Sequence, residues 1–550
     1  MHPLTRSFIQ LNDWVNDMSL QHNQTTALRS RETPRSFNPW IVAVVVTIGT
    51  FMEVLDTSIA NVALPHIAGS LSASQDEGAW VLSSYLVANA IVLPISGWLS
   101  SYMGRRNYFV TSVVLFTIFS FACGLAPTLG LLIAFRALQG LAGGGLQPSV
   151  QAILTDTFTP EQRAMGMSLY TIAILCAPVL GPTAGGWITD NFSWRWIFYI
   201  NVPIGIGCAA LSRLVLHDPP YMTAAKEKAR KLSVDWGGLA LISIGLGSLE
   251  IVLDKGQELD WFGSHFIISF SVVAVAAIST AIWWELHRPN PMVNLRLLKE
   301  TNFLFCCLLI LGLYGVLFAT TYLLPLFLQQ MLGYSATDAG TVLSPAGLIT
   351  MVEIPLVGYV LTKGFDPRKM IVAGLIILVT GIWWMSSLNL EISKISVILP
   401  RIWQVLGLGL ITVPVSTVVF QFLPQAERSQ ASGLYALVRN EGASLGIALA
   451  GTMLQRKTQI FQQTQARNLT SSSPIVQETL SRMGGGFGSS SDHQYLAMAR
   501  LYSMLQRQAL LLAYMDTFRT LACLMIFVIP LAFFLKRPKV ASKKVDVEAH

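Results

Sequence analysis

The sequence predicts an all-α membrane protein of fourteen transmembrane helices, built as two pseudo-symmetric six-helix halves with two additional central helices. Three observations predict it. Of 550 residues, 53% are hydrophobic and only 12% are Asp, Glu, Lys or Arg, about half the charged share of a soluble domain. With a mean hydropathy of +0.54, too little polar surface remains to coat a water-soluble globule. Apolar runs near the roughly 20 residues that cross a bilayer recur fourteen times, and the first six resemble the last six.

The runs lie near 40–64, 79–100, 107–127, 129–153, 166–189, 195–216, 236–253 and 264–286, then 302–329, 339–361, 370–388, 397–422, 432–454 and 511–535. The run at 236–253 is short and contains Glu250. The chain divides into an N-terminal tail (1–38), a first six-helix half (39–217) and a linker with two extra helices (218–301). A second half (302–535) follows, with a long loop at 455–510, and then a C-terminal tail (536–550). The tail at 1–38 has no uninterrupted apolar core, so it does not read as a cleaved signal peptide.

Lys and Arg set the orientation. They crowd the tails and alternate loops, while the opposite short loops hold only Arg195, Lys255 and Lys394. Both termini are therefore expected in the cytoplasm of a bacterial cell, with the chain multi-pass in the inner membrane. The net charge of +7 sits in short clusters such as Arg105-Arg106, Lys226 to Lys231 and Lys536 to Lys544. That pattern marks membrane faces and contact with lipids, not a nucleic-acid stripe. All six cysteines, Cys123, Cys176, Cys208, Cys306, Cys307 and Cys523, fall inside apolar runs, as packing residues do. The 455–510 loop reads either as a tether or as a docking surface.

The duplication is visible residue by residue. Aligning Arg136 with Arg401 also pairs Gln139 with Gln404, Arg163 with Arg428, Leu169-Tyr170 with Leu434-Tyr435, and Gly181 with Gly446. With a small slip, Leu64-Pro65 meets Leu324-Pro325, and Gly97 to Arg106 meets Gly358 to Lys369. Facing parallel halves around a midplane site suit alternating access; a channel does not need them. An ATP-driven pump needs a loop ending Gly-Lys-Ser/Thr, and Gly-Lys occurs nowhere in the chain. No catalytic or metal-spaced His/Asp/Glu cluster suggests an enzyme, a metal or another cofactor.

Leu55-Asp56-Thr57-Ser58-Ile59-Ala60-Asn61-Val62-Ala63-Leu64-Pro65 resembles the first-span signature of the fourteen-span drug:proton antiporters (EmrB/QacA type) of the major facilitator superfamily. Gly97-Trp98-Leu99 through Gly104, Arg105 and Arg106 resembles the superfamily's loop motif between spans 2 and 3. Arg136 to Gly140 resembles the fourth-span motif. Pro178 and Gly181-Pro182-Thr183-Ala184-Gly185-Gly186 resemble the fifth-span antiporter element, and Trp194 to Pro203 is similar to the fourteen-span group. The resemblance implies a major facilitator fold and proton-driven export of drugs or metabolites. In the EmrB-like branch it also implies a periplasmic membrane-fusion protein and an outer-membrane channel as partners.

The residues carry physical sense of their own. Asp56 sits mid-span, where a carboxylate is costly and marks a functional pathway; Glu53 shares its helix face. Arg136, a permanent cation within span 4, is expected to partner Asp56, so Asp56, Glu53 and Arg136 form the expected proton-coupling set. By the alignment, the counterpart of Asp56 falls near apolar Val316. Glu353, mid-span, is expected to face a substrate cavity with Tyr85, Tyr314 and Tyr322. Gly140, Gly181, Gly185 and Gly186 suit close helix approach, and Pro178 and Pro182 permit bending. Arg401 lies near its span's start and is expected to snorkel. Arg439 and Glu441, near the start of the thirteenth span, are close enough in sequence for an ion pair of the gate, with a structural role the favoured reading. Ser101 stands where the superfamily has an acid, so the usual latch between halves is missing. His66 reads as a solvated interfacial residue. A dedicated exporter of a metabolite, siderophore or fatty acid is the alternative to multidrug export.

Overall fold

A computed structural model describes residues 37–159, 162–218, 235–289, 291–469, 476–478, 480 and 491–536. The expected features at 1–36, Lys226 to Lys231, 481–490 and 537–550 lie outside the described residues. Every predicted run is a helix. We number them α1 (Pro39–Ser70), α2 (Gln75–Met103), α3 (Arg105–Leu125), α4 (Leu129–Gly143, resuming as Leu146–Thr157), α5 (Arg163–Asn191), α6 (Asn201–Val215) and α7 (Trp236–Lys255). The chain continues with α8 (His265–His287), α9 (Thr301–Leu332), α10 (Ala336–Thr362), α11 (Pro367–Met385), α12 (Lys394–Val418), α13 (Arg428–Asn468) and α14 (Ser491–Ile526).

Twelve of these are long and apolar enough to cross a membrane, and α5 joins them as a pair bent by 46° between Pro178 and Thr183. Only α13 is more polar than that measure allows, because Arg439 and Glu441 interrupt it. Its placement inside the bundle rests on close backbone contact. A Cβ on Gly442 would stand 2.6 Å from the Leu311 carbonyl oxygen of α9, and one on Gly446 would overlap the Gly315 backbone.

The helices start where the sequence supplies caps. Ser74 and Glu77 form a reciprocal capping box at α2, and Glu300 accepts the Phe303 amide at α9, 2.7 Å away. Gly104, at φ 90°, turns the chain between α2 and α3, a conformation that favours glycine. α4 breaks at Gly144-Gly145, beside the Asn89 backbone.

At one end of the bundle α2 and α13 touch backbone to backbone. A Cβ on Gly97 would meet Gln430 Cα and the Ser429 carbonyl oxygen at 2.5 Å, and one on Gly433 would reach the Leu93 carbonyl oxygen at 2.8 Å. Beside them, α5 meets α10 where Ser168 donates to the Ile354 carbonyl at 3.3 Å. All six cysteines are free, five buried and Cys523 exposed.

Candidate functional site

The site is built on α1, α4 and α6. Asp56 is buried in the middle of α1. Its Oδ2 accepts from Arg136 Nη1 at 2.6 Å; its Oδ1 accepts from Gln139 Nε2 at 3.1 Å and Asn201 Nδ2 at 2.6 Å. Arg136, fully enclosed, also donates to Gln139 Oε1 at 2.9 Å and to the Val81 carbonyl at 3.2 Å. The Tyr85 ring lies 4.3 Å from its guanidinium carbon. Asn201 is held in turn by Ser120 Oγ at 3.0 Å, which donates to the Phe198 carbonyl at 2.9 Å. The expected Asp56–Arg136 partnership is therefore present as geometry. Gln139 and Asn201, which sequence reasoning left without a role, complete it. Both lay inside quoted motifs, and Gln139 also repeats as Gln404, the available signal.

The glycines bring α5 onto α1. A side chain on Gly181 would collide with Ser58, whose Oγ donates to the Pro178 carbonyl at 3.3 Å, and one on Gly185 would meet Ile59 at 3.2 Å. Gly186 faces open space, so it takes no part in that approach. Gly140 lets α4 sit on the Tyr85 backbone of α2. Pro182 lies within α5.

Glu53 does not share partners with Asp56. Its Oε1 accepts from Asn89 at 3.1 Å and Gln147 at 3.2 Å. Gln147 in turn accepts from Arg439, which donates to Tyr170 Oη at 2.7 Å and lies 5.5 Å from the Tyr314 ring. This chain joins α1 to α13. It also corrects the expected Arg439–Glu441 pair: Glu441 points elsewhere and its carboxyl oxygens have no hydrogen-bond partner.

Three further expectations are corrected. Arg401 does not snorkel; it is buried and donates to Thr320 at 3.1 Å, Thr321 at 2.8 Å and Gln404 at 2.7 Å. Gln404 donates to Thr320 at 2.8 Å, so Thr320, one turn beyond Val316, is the counterpart of Asp56. The alignment slips by a turn, which hid it. Glu353 does not face open space; its carboxyl is buried against Gly409 of α12. Tyr85 and Tyr314 are buried under arginines, and only Tyr322 is exposed, at 40%.

At the α2–α13 end, Ser101 Oγ bonds its own helix, donating to the Gly97 carbonyl at 2.9 Å. The acid comes instead from Asp156 at the end of α4, which pairs with Arg105 and lies 3.5 Å from Arg428 of α13. Arg105 also donates to Ser429 Oγ at 3.0 Å. Arg106 accepts no such role; its backbone amide donates to Asp218 at 2.9 Å.

Residues 46–447 match the Major Facilitator Superfamily. Over 499 residues the chain is 34% identical to the multidrug export protein EmrB of Escherichia coli (strain K12), an alignment covering 90% of this chain and 95% of that protein. It is 33% identical over 494 residues to the fatty acid resistance protein FarB of Neisseria gonorrhoeae, covering 89% and 95%. The solved proton:xylose symporter XylE, bound to 6-bromo-6-deoxy-D-glucose, shares the fold with a TM-score of 0.57 at 14% identity, over 91% of this chain and 96% of that one. With its buried mid-span network and its paired halves of sequence, the chain belongs to the Major Facilitator Superfamily, among the EmrB-like permeases.

Proposed function

We propose that the chain is a proton-coupled multidrug exporter. It moves lipophilic, often cationic compounds across the bacterial inner membrane by alternating access, with residues 39–217 rocking against 302–535. The proton gradient supplies the energy and no cofactor takes part. The observation that carries this reading is the buried Asp56 network, an ionisable group mid-span whose two carboxyl oxygens accept three donors from α4 and α6. The name and similarity of EmrB support the substrate class.

Three donors suit a carboxylate. A proton on Asp56 removes the charge that holds Arg136 and turns an ion pair into a neutral hydrogen bond, which loosens α1 from α4, so proton binding and helix packing are coupled through the same carboxyl. One pH unit supplies about 1.4 kcal/mol per proton, and 100 mV about 2.3 kcal/mol per charge. Together they sustain a gradient of roughly 500-fold for a neutral substrate exchanged against one proton.

With both termini cytoplasmic, the Arg105–Asp156–Arg428 contact closes the cytoplasmic side. The opposite ends of α13 and α14 then project outward. Their 41 and 36 residues make helices about 61 and 54 Å long, against a hydrocarbon core of about 30 Å. That pair of helices is where a membrane-fusion protein, and through it an outer-membrane channel, would dock. Deleting the external loop 455–510 should then stop export across the outer membrane and spare transport in vesicles; survival of both activities refutes the docking.

The test of the main reading is transport in proteoliposomes under an imposed pH gradient, using a lipophilic cationic dye and a neutral drug. Wild type should move both, and Asp56→Asn should lose proton-driven transport. Failure of wild type to move either favours the second reading, a dedicated exporter of a metabolite, siderophore or fatty acid, which the similarity to FarB supports.

A further inference from the structure

Outside the Asp56 network, two acids with unsatisfied carboxyl oxygens lie where α7 packs against α2 and α13. Glu250 of α7 is 1% exposed. Its Oε1 accepts from Ser444 Oγ of α13 at 2.8 Å, and its Oε2 is buried without a hydrogen-bond partner. Glu441 stands three residues before Ser444, on the same face of α13, and both of its carboxyl oxygens are buried without a partner as well. One turn beyond Glu250, Asp254 accepts a bond from Ser83 of α2. The inserted helix α7 thus fastens one acid to α13 and another to α2, the two helices that touch at Gly97 and Gly433.

Three orphaned carboxyl oxygens in one interface cannot belong to two ionised acids. A buried charge without partners is expensive, and an adjacent like charge makes it more so. No cation relieves them. On α7 itself, Asp254 and Lys255 are the nearest charged side chains, and Lys255 pairs with Glu258 at 2.7 Å. From α2 the neighbours are Ser83 and Trp80. α8 carries His265, Glu285 and His287 only at its ends. Arg439 of α13 is turned toward Gln147 and Tyr170. Among the described residues no group of three His, Cys, Asp or Glu is arranged to hold a metal ion.

We propose that Glu250 and Glu441 share one exchangeable proton, forming a protonation site that the inserted helix creates and that is separate from Asp56. Only its use in transport rests on the proton-coupled reading above; the site itself does not.

The test is infrared difference spectroscopy of the purified full-length protein in lipid nanodiscs, titrated across pH in water and in deuterium oxide. A deuterium-sensitive carboxyl C=O band marks a protonated buried acid. Glu250→Gln and Glu441→Gln should each lose the same band, because the proton belongs to both, and Asp56→Asn should keep it. Glu441→Asp, which retains an acid, should displace the band instead of removing it and guards against loss by misfolding. A band unchanged in both Gln variants, or lost in only one of them, overturns the proposal. Loss of proton-driven transport in Asp56→Asn without such a shared band sinks this proposal alone.

Discussion

Replacing Asp156 with Asn keeps the shape of the side chain and deletes the charge that Arg105 and Arg428 share. The side chains of Arg105, Asp156 and Arg428 are 3%, 10% and 12% exposed, so the buried-pair scale applies: removing one partner costs about 3–5 kcal/mol. Arg105 keeps its bonds to Ser429 and the Ala152 carbonyl, which places the total near the lower end. Most of that loss falls within residues 39–217, since Arg105 and Asp156 both belong there, and it is felt in every conformation. Only the 3.5 Å contact from Arg428 and whatever it supports cross to α13. Assigning that share about 1.4 kcal/mol gives a tenfold shift toward the state in which this end is open. Ser100, 3% exposed, reports opening as Ser100→Cys in a chain whose exposed Cys523 is replaced. Maleimide should label it about tenfold faster in Asp156→Asn, following that population shift. A labelling rate within about twofold of the parent, alongside a lowered melting temperature, would show that Asp156 braces one half and latches nothing.

Asn201→Leu removes one donor to Asp56 and leaves Ser120 only its bond to the Phe198 carbonyl, so proton-driven transport should fall by about tenfold, the effect of roughly 1.4 kcal/mol, while substrate binding measured by fluorescence quenching changes little. Gly446→Ala overlaps the Gly315 backbone and should cost about 1–3 kcal/mol in detergent unfolding, whereas Gly186→Ala, with nothing within 4 Å, should leave the melting curve unmoved. Arg136→Met strands a buried carboxylate and should destabilise by about 3–5 kcal/mol. Arg401→Met strands only hydroxyls and an amide, so its melting temperature should stay close to that of wild type; a loss equal to that of Arg136→Met would refute the absence of an acid partner there.

Helices were legible in the sequence because a bilayer demands long apolar runs and the duplication marks their order. Asp56 and Arg136 stood out for the same reason: charge inside an apolar run is conspicuous. What stayed hidden was polar partnership across helices. Gln139 and Asn201 are neutral and unremarkable in composition, and nothing in one sequence says that three helices bring them to one carboxylate. Arg439 and Glu441 sit two residues apart, a spacing that puts them on different faces of a helix, so linear proximity misled. Thr320 escaped because the repeat slips by a turn between α1 and α9, and a residue-for-residue alignment cannot follow a slip. The acid replacing the one missing at Ser101 lay fifty-odd residues away on α4, visible only once α3 and α4 lie side by side.

The two halves repeat a scaffold and differ in charge. In each, an Arg and a Gln three residues apart reach across to one side chain, Asp56 in the first and Thr320 in the second. With Asp56 ionised, the first pair is neutral. Among the described residues no acid forms an ion pair with Arg401, so the second site carries a positive charge throughout. Thr320 is a neutral hydroxyl that bonds both partners, whereas Asp56 is the carboxyl to which the proposed cycle assigns the proton. When Asp56 is protonated in the proposed cycle, Arg136 loses its counter-charge and each half holds a buried cation. At the low effective dielectric of such a site, that field repels a cationic substrate over several ångströms. Release of the proton restores neutrality in the first half alone and makes room for the substrate's charge. In the proposed cycle, proton and cation thus exclude one another without competing for the same atom.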